Sequence, residues 1–189
     1  MKKYNFAKGQ WNPEEFRYVY SSRFTPTPLM KQEEDCIVNG IDASTGEFDY
    51  VSMVAEKKYT TGARLETRCS FEAYGAPLIV LSDEFYKGEN GKWYFGVHYE
   101  IVLYEGGINV WRLNLNKDVM EWDNLMRLKF PVTPKEVHTL KVHVLEKALD
   151  IKTEGAHVVL RVDDLPSEFR AGITACEGIN RFYTYSIEA

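Results

Sequence analysis

The sequence lacks three features that would indicate a membrane protein or a nucleic-acid-binding protein. It contains no apolar run of about 18 residues, so no transmembrane helix is expected. The segment Met1–Gly9 has charges but no apolar core, which argues against a signal peptide and predicts a cytoplasmic protein. The formal net charge is −5, and no stripe of Lys and Arg is present to neutralise phosphates. We therefore expect neither nucleic acid nor a membrane as a partner.

Cysteines and metal-binding motifs are also scarce. The three cysteines, Cys36, Cys69 and Cys176, are widely spaced, and no Cys-x-x-Cys pair occurs. Reduced thiols packed in the sheets are therefore favoured over a disulfide. The histidines are His98, His138, His143 and His157. Their spacing does not match a zinc-ligand pattern, so no cofactor is expected.

A structural calcium ion is the one metal that the sequence leaves open. Calcium sites need several oxygen ligands, commonly from Asp or Asn side chains in one loop. The candidate calcium ligands are Asp118, Asp123, Asn124, Asp163 and Asp164.

Aromatic residues are abundant, with 10 Phe, 12 Tyr and 4 Trp, which favours strands over helices. Short alternating or apolar runs separated by turn residues recur along the chain, which is the all-β pattern. The strand candidates are Phe16–Tyr20, Cys36–Val38, Tyr50–Glu56, Arg64–Phe71, Pro77–Leu81, 94–104, 108–115, Leu140–Leu145, Ala148–Lys152, His157–Asp163, Ala171–Glu177 and Arg181–Ile187. Residues 116–136 predict a short helix or a loop that crosses the sheet edge. About a dozen strands predict one domain over residues 1–189, a two-sheet antiparallel jelly-roll sandwich.

The most informative segment is His98–Arg112, which predicts two strands joined by a Gly106-Gly107 turn. A Gly-Gly pair can adopt positive φ at both central positions, as a type I′ turn requires. Because side chains alternate along a strand, the two faces of this hairpin have different compositions. The predicted core face carries Tyr99, Ile101, Leu103, Ile108 and Val110. The predicted other face carries His98, Glu100, Val102, Tyr104, Asn109 and Trp111. This mixture of polar and aromatic side chains is suited to binding a sugar.

Three segments resemble the concanavalin A-like lectin/glucanase superfamily. They are Tyr74–Ser82, His98–Trp111 and Gly172–Tyr183, and the order of elements is similar from Phe16 to Ile187. Such segments look like those of small bacterial proteins of this superfamily. The resemblance implies two large curved sheets, with ligands held on the concave sheet. It implies a fold rather than one activity, because the superfamily includes lectins, hydrolases, lyases and binding modules.

The hydrolase motif of the superfamily is incomplete in this sequence. Laminarinase-type glycoside hydrolases carry Glu-x-Asp-x-x-Glu on one strand, whereas the stretch Glu100–Glu105 lacks the middle carboxylate. Glu100 and Glu105 also have opposite parity, so they are expected to face opposite sides of a regular strand. Two carboxylates that flank a glycosidic bond lie about 5–9.5 Å apart, which this pair is not expected to provide. A second catalytic carboxylate would then come from Glu66 or Glu177.

The lyase motif is partial as well. The stretch Arg64–Arg68 is similar to the Arg-x-Glu-x-Arg strand of alginate lyases, but no Gln-x-His strand accompanies it. Arg64 and Arg68 suit a clamp for a uronate carboxylate through their guanidinium groups. The alternative is a convex, solvated face with cross-strand ion pairs.

The candidate site residues follow from these patterns. The catalytic candidates are Glu100, His98, Glu66 and Glu177, and the ligand-binding candidates are His98, Glu100, Tyr104, Asn109, Trp111, Arg64 and Arg68. For His98 and Glu100 the alternative is an exposed ion pair worth less than about 1 kcal/mol. For Trp111 the alternative is an indole covered by residues 116–136.

The function hypotheses belong to three classes. The first is a carbohydrate-binding or carbohydrate-processing jelly-roll protein that holds an oligo- or polysaccharide fragment on its concave sheet. Binding is favoured over hydrolysis, because no acid/base pair is evident. The second is an enzyme that acts on glycosidic bonds, either a glycoside hydrolase or a polysaccharide lyase. The third is a protein-interaction or assembly module, for example a homodimer that buries the aromatic face.

Overall fold

The computed structural model describes residues 1–20, 29–39, 50–116 and 119–189, with side chains outside 115–120. Within these residues the chain forms sixteen strands and one short 3-10 helix, Pro13–Glu15. The strands are β1 (Lys2–Asn5), β2 (Phe16–Tyr20), β3 (Lys31–Gln32), β4 (Ile37–Val38), β5 (Tyr50–Ala55), β6 (Tyr59–Thr60), β7 (Arg64–Ser82), β8 (Phe85–Lys87), β9 (Trp93–Phe95), β10 (His98–Tyr104), β11 (Gly107–Asn116), β12 (Val119–Lys129), β13 (His138–Leu145), β14 (Ala148–Thr153), β15 (Ala156–Arg161) and β16 (Glu168–Glu188). The predicted all-β class is confirmed. In this part of the chain, no helix is long and apolar enough to cross a membrane.

The strands form a two-layer sandwich whose layers share β7 and β16. One layer has the strand order β12-β11-β10-β7-β16-β5-β2-β9-β8. The other layer places β13, β14 and β15 beside β7, and β1 beside β16. The first half of β7 pairs with β13 and its second half pairs with β10, because the strand passes from one layer into the other. The segment 116–136 contributes β12, which replaces the predicted helix or loop at this sheet edge.

Each long strand joins segments that the sequence predicts as separate strands. Arg64–Phe71 and Pro77–Leu81 both belong to β7, and the last two strand candidates both belong to β16. The separation was wrong because the glycines between the segments mark a bend. Gly75 lies opposite Gly178 at this bend, where the register of the ladder is irregular. Pro77 fits within β7 because it lies one residue beyond the last position that pairs with β10.

Glu177 and Gly178 form a bulge at this bend, which we call the β16 bulge. Both residues have positive φ, +57° for Glu177 and +55° for Gly178. Such a conformation costs a non-Gly residue roughly 1 kcal/mol or more. A Cβ on Gly178 would lie 2.2 Å from the carbonyl oxygen of Tyr74, so the position requires glycine. Two buried amides hold the bulge: Asn39 Nδ2 donates to the Gly178 carbonyl at 2.6 Å, and Asn180 Nδ2 donates to the Glu177 carbonyl at 2.7 Å.

The main hydrophobic core lies between the two layers. The predicted core face of the β10–β11 hairpin is confirmed, because its apolar side chains are all buried in this core. The buried side chains of the neighbouring hairpin are also those predicted, namely Leu140, Val142, Val144, Leu149 and Ile151. Alternation along the strands therefore located the core correctly.

A smaller apolar cluster lies on the opposite face of the first layer. Its buried members include Tyr50, Leu78, Phe95 and Val102, and Trp111 packs against them. Leu78 alternates in β7 with residues of the main core, so this half of β7 is buried on both faces. The apolar composition of the segment predicted this burial.

The β10–β11 hairpin has a different turn from the predicted one. Tyr104 lies opposite Gly107, so the two-residue loop is Glu105-Gly106. Of the two glycines only Gly107 has positive φ, +131°, and a Cβ there would lie 2.0 Å from the carbonyl oxygen of Leu128. The predicted type I′ Gly-Gly turn was therefore wrong. The assignment of side chains to faces is unaffected, because the observed register moves each opposed residue by two positions.

Candidate functional site

The floor of the candidate site is a buried polar trio, Tyr50, His98 and Glu100. The Tyr50 hydroxyl donates a hydrogen bond to Glu100 Oε1, and His98 Nε2 lies 3.5 Å from the same oxygen. Glu100 is only 2% exposed and His98 is fully buried. The alternative of an exposed ion pair was therefore wrong, because the small apolar cluster excludes water from this part of β10.

Hydrogen bonding positions the protons of the trio. Burial, reinforced by the charge of Glu100, raises the pKa of Tyr50 well above its ordinary value, so the hydroxyl stays protonated. His98 Nδ1 donates to the Gly96 carbonyl at 2.9 Å, which places a proton on Nδ1. The His98 ring also stacks on Phe95, with ring centroids 4.5 Å apart. His98 Nε2 has no hydrogen-bond partner within hydrogen-bonding geometry and lies beside Glu100 Oε1.

An aromatic groove of about 530 Å³ lies on this face of the sheet. Its aromatic lining consists of Tyr74, Tyr104, Trp111 and Trp122. The Trp111 and Trp122 rings meet edge to face, with centroids 6.1 Å apart and an interplanar angle of 78°. The segment 116–136 therefore covers an edge of Trp111, as the alternative for this residue predicted, while Trp111 still lines the groove.

Three carboxyl groups line the same groove, those of Glu100, Glu105 and Glu177. Glu105 was predicted to face away from Glu100. That prediction was wrong because β10 ends at Tyr104, and alternation does not extend into a turn. Partial burial and the negative charge of Glu105 raise the pKa of Glu177. The two carboxyl groups therefore interact at the rim, where both side chains are exposed.

The remaining predicted residues of the hairpin also meet at the groove. Tyr104, Asn109 and Trp111 line it together with Glu177, and His98 lies behind Glu100. The side-chain oxygen of Asn109 is shielded from solvent and accepts no hydrogen bond.

The row of Arg64, Glu66 and Arg68 lies elsewhere. These residues belong to the first half of β7, which pairs with β13 in the other layer. Arg64 and Arg68 are exposed, and Glu66 forms an ion pair with Lys141 at 2.9 Å. Arg64 and Arg68, which were predicted to bind a ligand together with the hairpin residues, do not line the groove, because β7 changes layers between the row and the groove. The row instead has the predicted alternative geometry, a solvated face with cross-strand ion pairs.

The cysteines and the candidate calcium ligands have separate surroundings. All three cysteines are free, and burial raises the pKa of Cys36 and of Cys69 to about 12. Asp123 and Asp164 both contact Arg112, at 3.4 and 2.7 Å. Asp118 lies outside the described residues. Among the residues that the structure describes, no group of three or more His, Cys, Asp or Glu residues is arranged to hold a metal.

Sequence reasoning missed four residues of the site: Tyr50, Tyr74, Glu105 and Trp122. Tyr50 belongs to a strand candidate, but the strand order that brings it to Glu100 is not encoded in any local pattern. Trp122 lies in the segment that was not predicted as a strand. Tyr74 and Glu105 lie at a bend and in a turn, where strand alternation does not apply.

No protein-family model matches the sequence, and no curated protein is similar to it in sequence. Several solved structures are similar in fold. A carbohydrate-binding module of family 66 from Bacillus subtilis has a TM-score of 0.64 at 10% identity, covering 91% of this chain and 95% of that chain. A family 16 endo-glucanase from Bacteroides ovatus has a TM-score of 0.61 at 10% identity, covering 99% of both chains. Beta-agarase B from Zobellia galactanivorans has a TM-score of 0.63 at 8% identity, covering 98% of this chain and 90% of that chain. The chain therefore has the concanavalin A-like jelly-roll fold.

Proposed function

We propose that this chain binds a carbohydrate in the aromatic groove. The observation that carries the proposal is the combination of four aromatic rings with carboxyl and amide groups in one groove. Aromatic faces pack against the apolar C–H faces of sugars, while carboxylates and amides accept hydrogen bonds from sugar hydroxyls. The volume of about 530 Å³ is within the range of ligand pockets, about 300–1,000 Å³.

The similar folds support the same ligand class. The structures with this fold include a carbohydrate-binding module, an endo-glucanase and an agarase. Their identities to this chain are at most 10%, so they support a carbohydrate but do not select a sugar or a linkage.

The proposal is tested by screening a panel of oligo- and polysaccharides for thermal stabilisation. A saccharide present at about 100 times its dissociation constant should add about 2.7 kcal/mol to the free energy of unfolding. Trp111→Ala should weaken binding by about tenfold or more, because it removes a central stacking surface. Tyr86→Ala is the matched control, since Tyr86 is an exposed aromatic residue that stacks on Tyr94 outside the groove.

Two outcomes would contradict this proposal. One is the absence of stabilisation by every saccharide in the panel. The other is equal loss of binding in Trp111→Ala and Tyr86→Ala, which would place the ligand outside the groove. A change in oligomeric state caused by Trp111→Ala would instead favour an assembly module.

Hydrolysis of a glycosidic bond is the second candidate, favoured by the raised pKa of Glu177. A general acid must remain protonated near the operating pH, which a raised pKa allows. Glu100 would supply the second carboxylate from the floor of the groove. Reducing-end release should then fall by about 10²-fold or more in both Glu177→Gln and Glu100→Gln. A wild-type protein that binds a saccharide without cleaving it would contradict hydrolysis and retain binding.

A further inference from the structure

The charged side chains that line the aromatic groove are all glutamates. They are Glu100, Glu105 and Glu177, and no described Lys, Arg or His lines the groove with them. The guanidinium group of Arg127 lies near the aromatic lining, 5.7 Å from the centroid of the Trp111 ring. Arg127 is exposed, so solvent screens its charge more than the charge of the buried Glu100.

Basic residues are concentrated on a different surface. A second groove, of about 470 Å³, is lined by Lys3, Arg64, Lys141 and Lys152. This surface lies on the other layer, where Lys141 neutralises Glu66 and Lys152 lies 3.8 Å from Asp150. A guanidinium or ammonium clamp for an anionic sugar is therefore absent from the described lining of the aromatic groove.

The backbone that carries the rim residue Glu177 is fixed by hydrogen bonds to two buried amides. The β16 bulge that presents it is fixed through the buried amides of Asn39 and Asn180. The charge of Glu105 acts on Glu177 across the rim. A ligand that enters the groove beside these two groups therefore meets two acidic side chains at the rim.

The hydrogen-bonding capacity of the carboxyl groups also bears on the ligand. Glu100, Glu105 and Glu177 line the groove together. Ionised carboxylates only accept hydrogen bonds, so a ligand that pairs with them has to supply the donors. Hydroxyl groups supply them without charge, and an ammonium group supplies them with a favourable charge.

Building on the carbohydrate function proposed above, we propose that the groove selects its saccharide by charge. It binds amino sugars with a free ammonium group most tightly, neutral sugars less tightly, and sugars with a carboxylate or sulfate group weakly. The physical reason is that a further negative charge in an acidic, partly desolvated groove is repelled, whereas a positive charge is attracted.

The test compares sugars that differ only in charge. The probes are the methyl glycosides of glucose, galactose and mannose, each in its neutral, amino and uronic acid form. The β-linked tetramers of glucose, glucosamine and glucuronate are added as longer probes. Binding is measured by thermal shift and ligand-observed NMR at low and at high salt. The expected order is amino, then neutral, then uronate, with differences that shrink as salt is added.

Glu177→Gln is the decisive variant, because it removes the rim charge and retains the shape of the side chain. We expect the ratio between uronate and amino-sugar dissociation constants to fall by about fivefold. Glu66→Gln is the matched control: it changes the net charge equally, but Glu66 lies on the other layer beside Lys141. The control should leave the ratio unchanged.

The outcomes separate this inference from the proposed function. Uronates that bind as well as or better than neutral sugars overturn the charge inference and retain the carbohydrate function. Equal changes in Glu177→Gln and Glu66→Gln also overturn it, because the selectivity would then come from net charge. If neither these probes nor the saccharides of the earlier panel bind, the carbohydrate function is contradicted, and the charge inference fails with it.

Discussion

The two halves of β7 have opposite surroundings: the first carries exposed charged residues, and the second is apolar and buried. In the first half, Arg64, Glu66 and Arg68 alternate with buried residues and extend into solvent. In the second half, β7 is buried on both faces and runs beside β10, where Glu100 forms the floor of the groove. One strand therefore contributes to a solvated charged surface and to the frame of a buried polar site.

In β7, the regularly alternating charged residues therefore indicate a solvent-exposed face of the strand and not the candidate site. The Glu66–Lys141 pair is exposed, so it contributes less than about 1 kcal/mol to stability. A buried carboxylate without partners costs several kcal/mol, so Glu100 requires the surrounding Tyr50 and His98. The floor of the groove thus contains a buried carboxylate, that of Glu100, whose burial does not by itself stabilise the fold.

The largest expected effect comes from the bend that connects the two halves. Gly178→Ala would place a Cβ 2.2 Å from the Tyr74 carbonyl oxygen at a residue with positive φ. We expect a loss of about 3 kcal/mol or more in the free energy of unfolding, measured by urea denaturation.

Gly9→Ala is the matched control for this prediction. Gly9 also has positive φ, but a Cβ there would meet nothing within 4 Å. It should cost only about 1 kcal/mol, the strain of the left-handed conformation alone. Equal losses in the two variants would show that close packing at the bend does not hold the β16 bulge.

The next largest effect tests the buried trio. Tyr50→Phe removes the hydroxyl that donates to Glu100 and leaves a buried acceptor with one donor fewer. We expect a loss of about 2 kcal/mol in the free energy of unfolding at pH 7. Lys141→Met, which breaks the exposed pair with Glu66, should cost less than about 1 kcal/mol. If the two losses were equal, the contrast between the buried trio and the exposed row of β7 would not hold.

The features of the fold and of the site that the sequence predicted are those governed by the alternation of side chains along strands. The core face of the hairpin, the buried residues of β13 and β14, and the polar face with Glu100 all followed from the period of two. The bend in β7 could not be predicted in this way, because the glycines at a bulge and at a turn give the same local signal. Tyr50 was missed because its contact with Glu100 depends on the order of strands that are 50 residues apart in sequence.

The pH dependence of stability at alkaline pH provides a second test of the buried trio. Because burial and Glu100 raise the pKa of Tyr50, the folded state keeps this proton at pH values where the unfolded chain has lost it. The stabilising contribution is complete below about pH 10 and falls above it by about 1.4 kcal/mol per pH unit. Tyr50→Phe should therefore reduce the pH dependence of the unfolding free energy above pH 10. Other buried tyrosines, such as Tyr185, leave a residual slope in the variant.

The smallest expected effect has the opposite sign and concerns the groove rim. A raised pKa means that folding favours the protonated form of Glu177, so its contribution is complete below pH 4 and is lost as the pH rises through its folded pKa. Glu177→Gln should consequently stabilise the protein at pH 7. Because the side chain is exposed, solvent screening limits the gain to about 0.3 kcal/mol.

The pH dependence of this gain separates the groove from the solvated row. The gain of Glu177→Gln should disappear when the unfolding free energy is measured at about pH 3, below the ordinary pKa of a glutamate, where Glu177 is protonated in both states. Glu66→Gln should give no gain at pH 7, because it removes an ion pair with Lys141 instead of a repulsion. A stabilising Glu66→Gln would show that the first half of β7 also carries unfavourable charge. A neutral Glu177→Gln would show that the rim carboxyls interact too weakly to influence folding, and the expected charge selectivity would then have to come from the ligand-bound state alone.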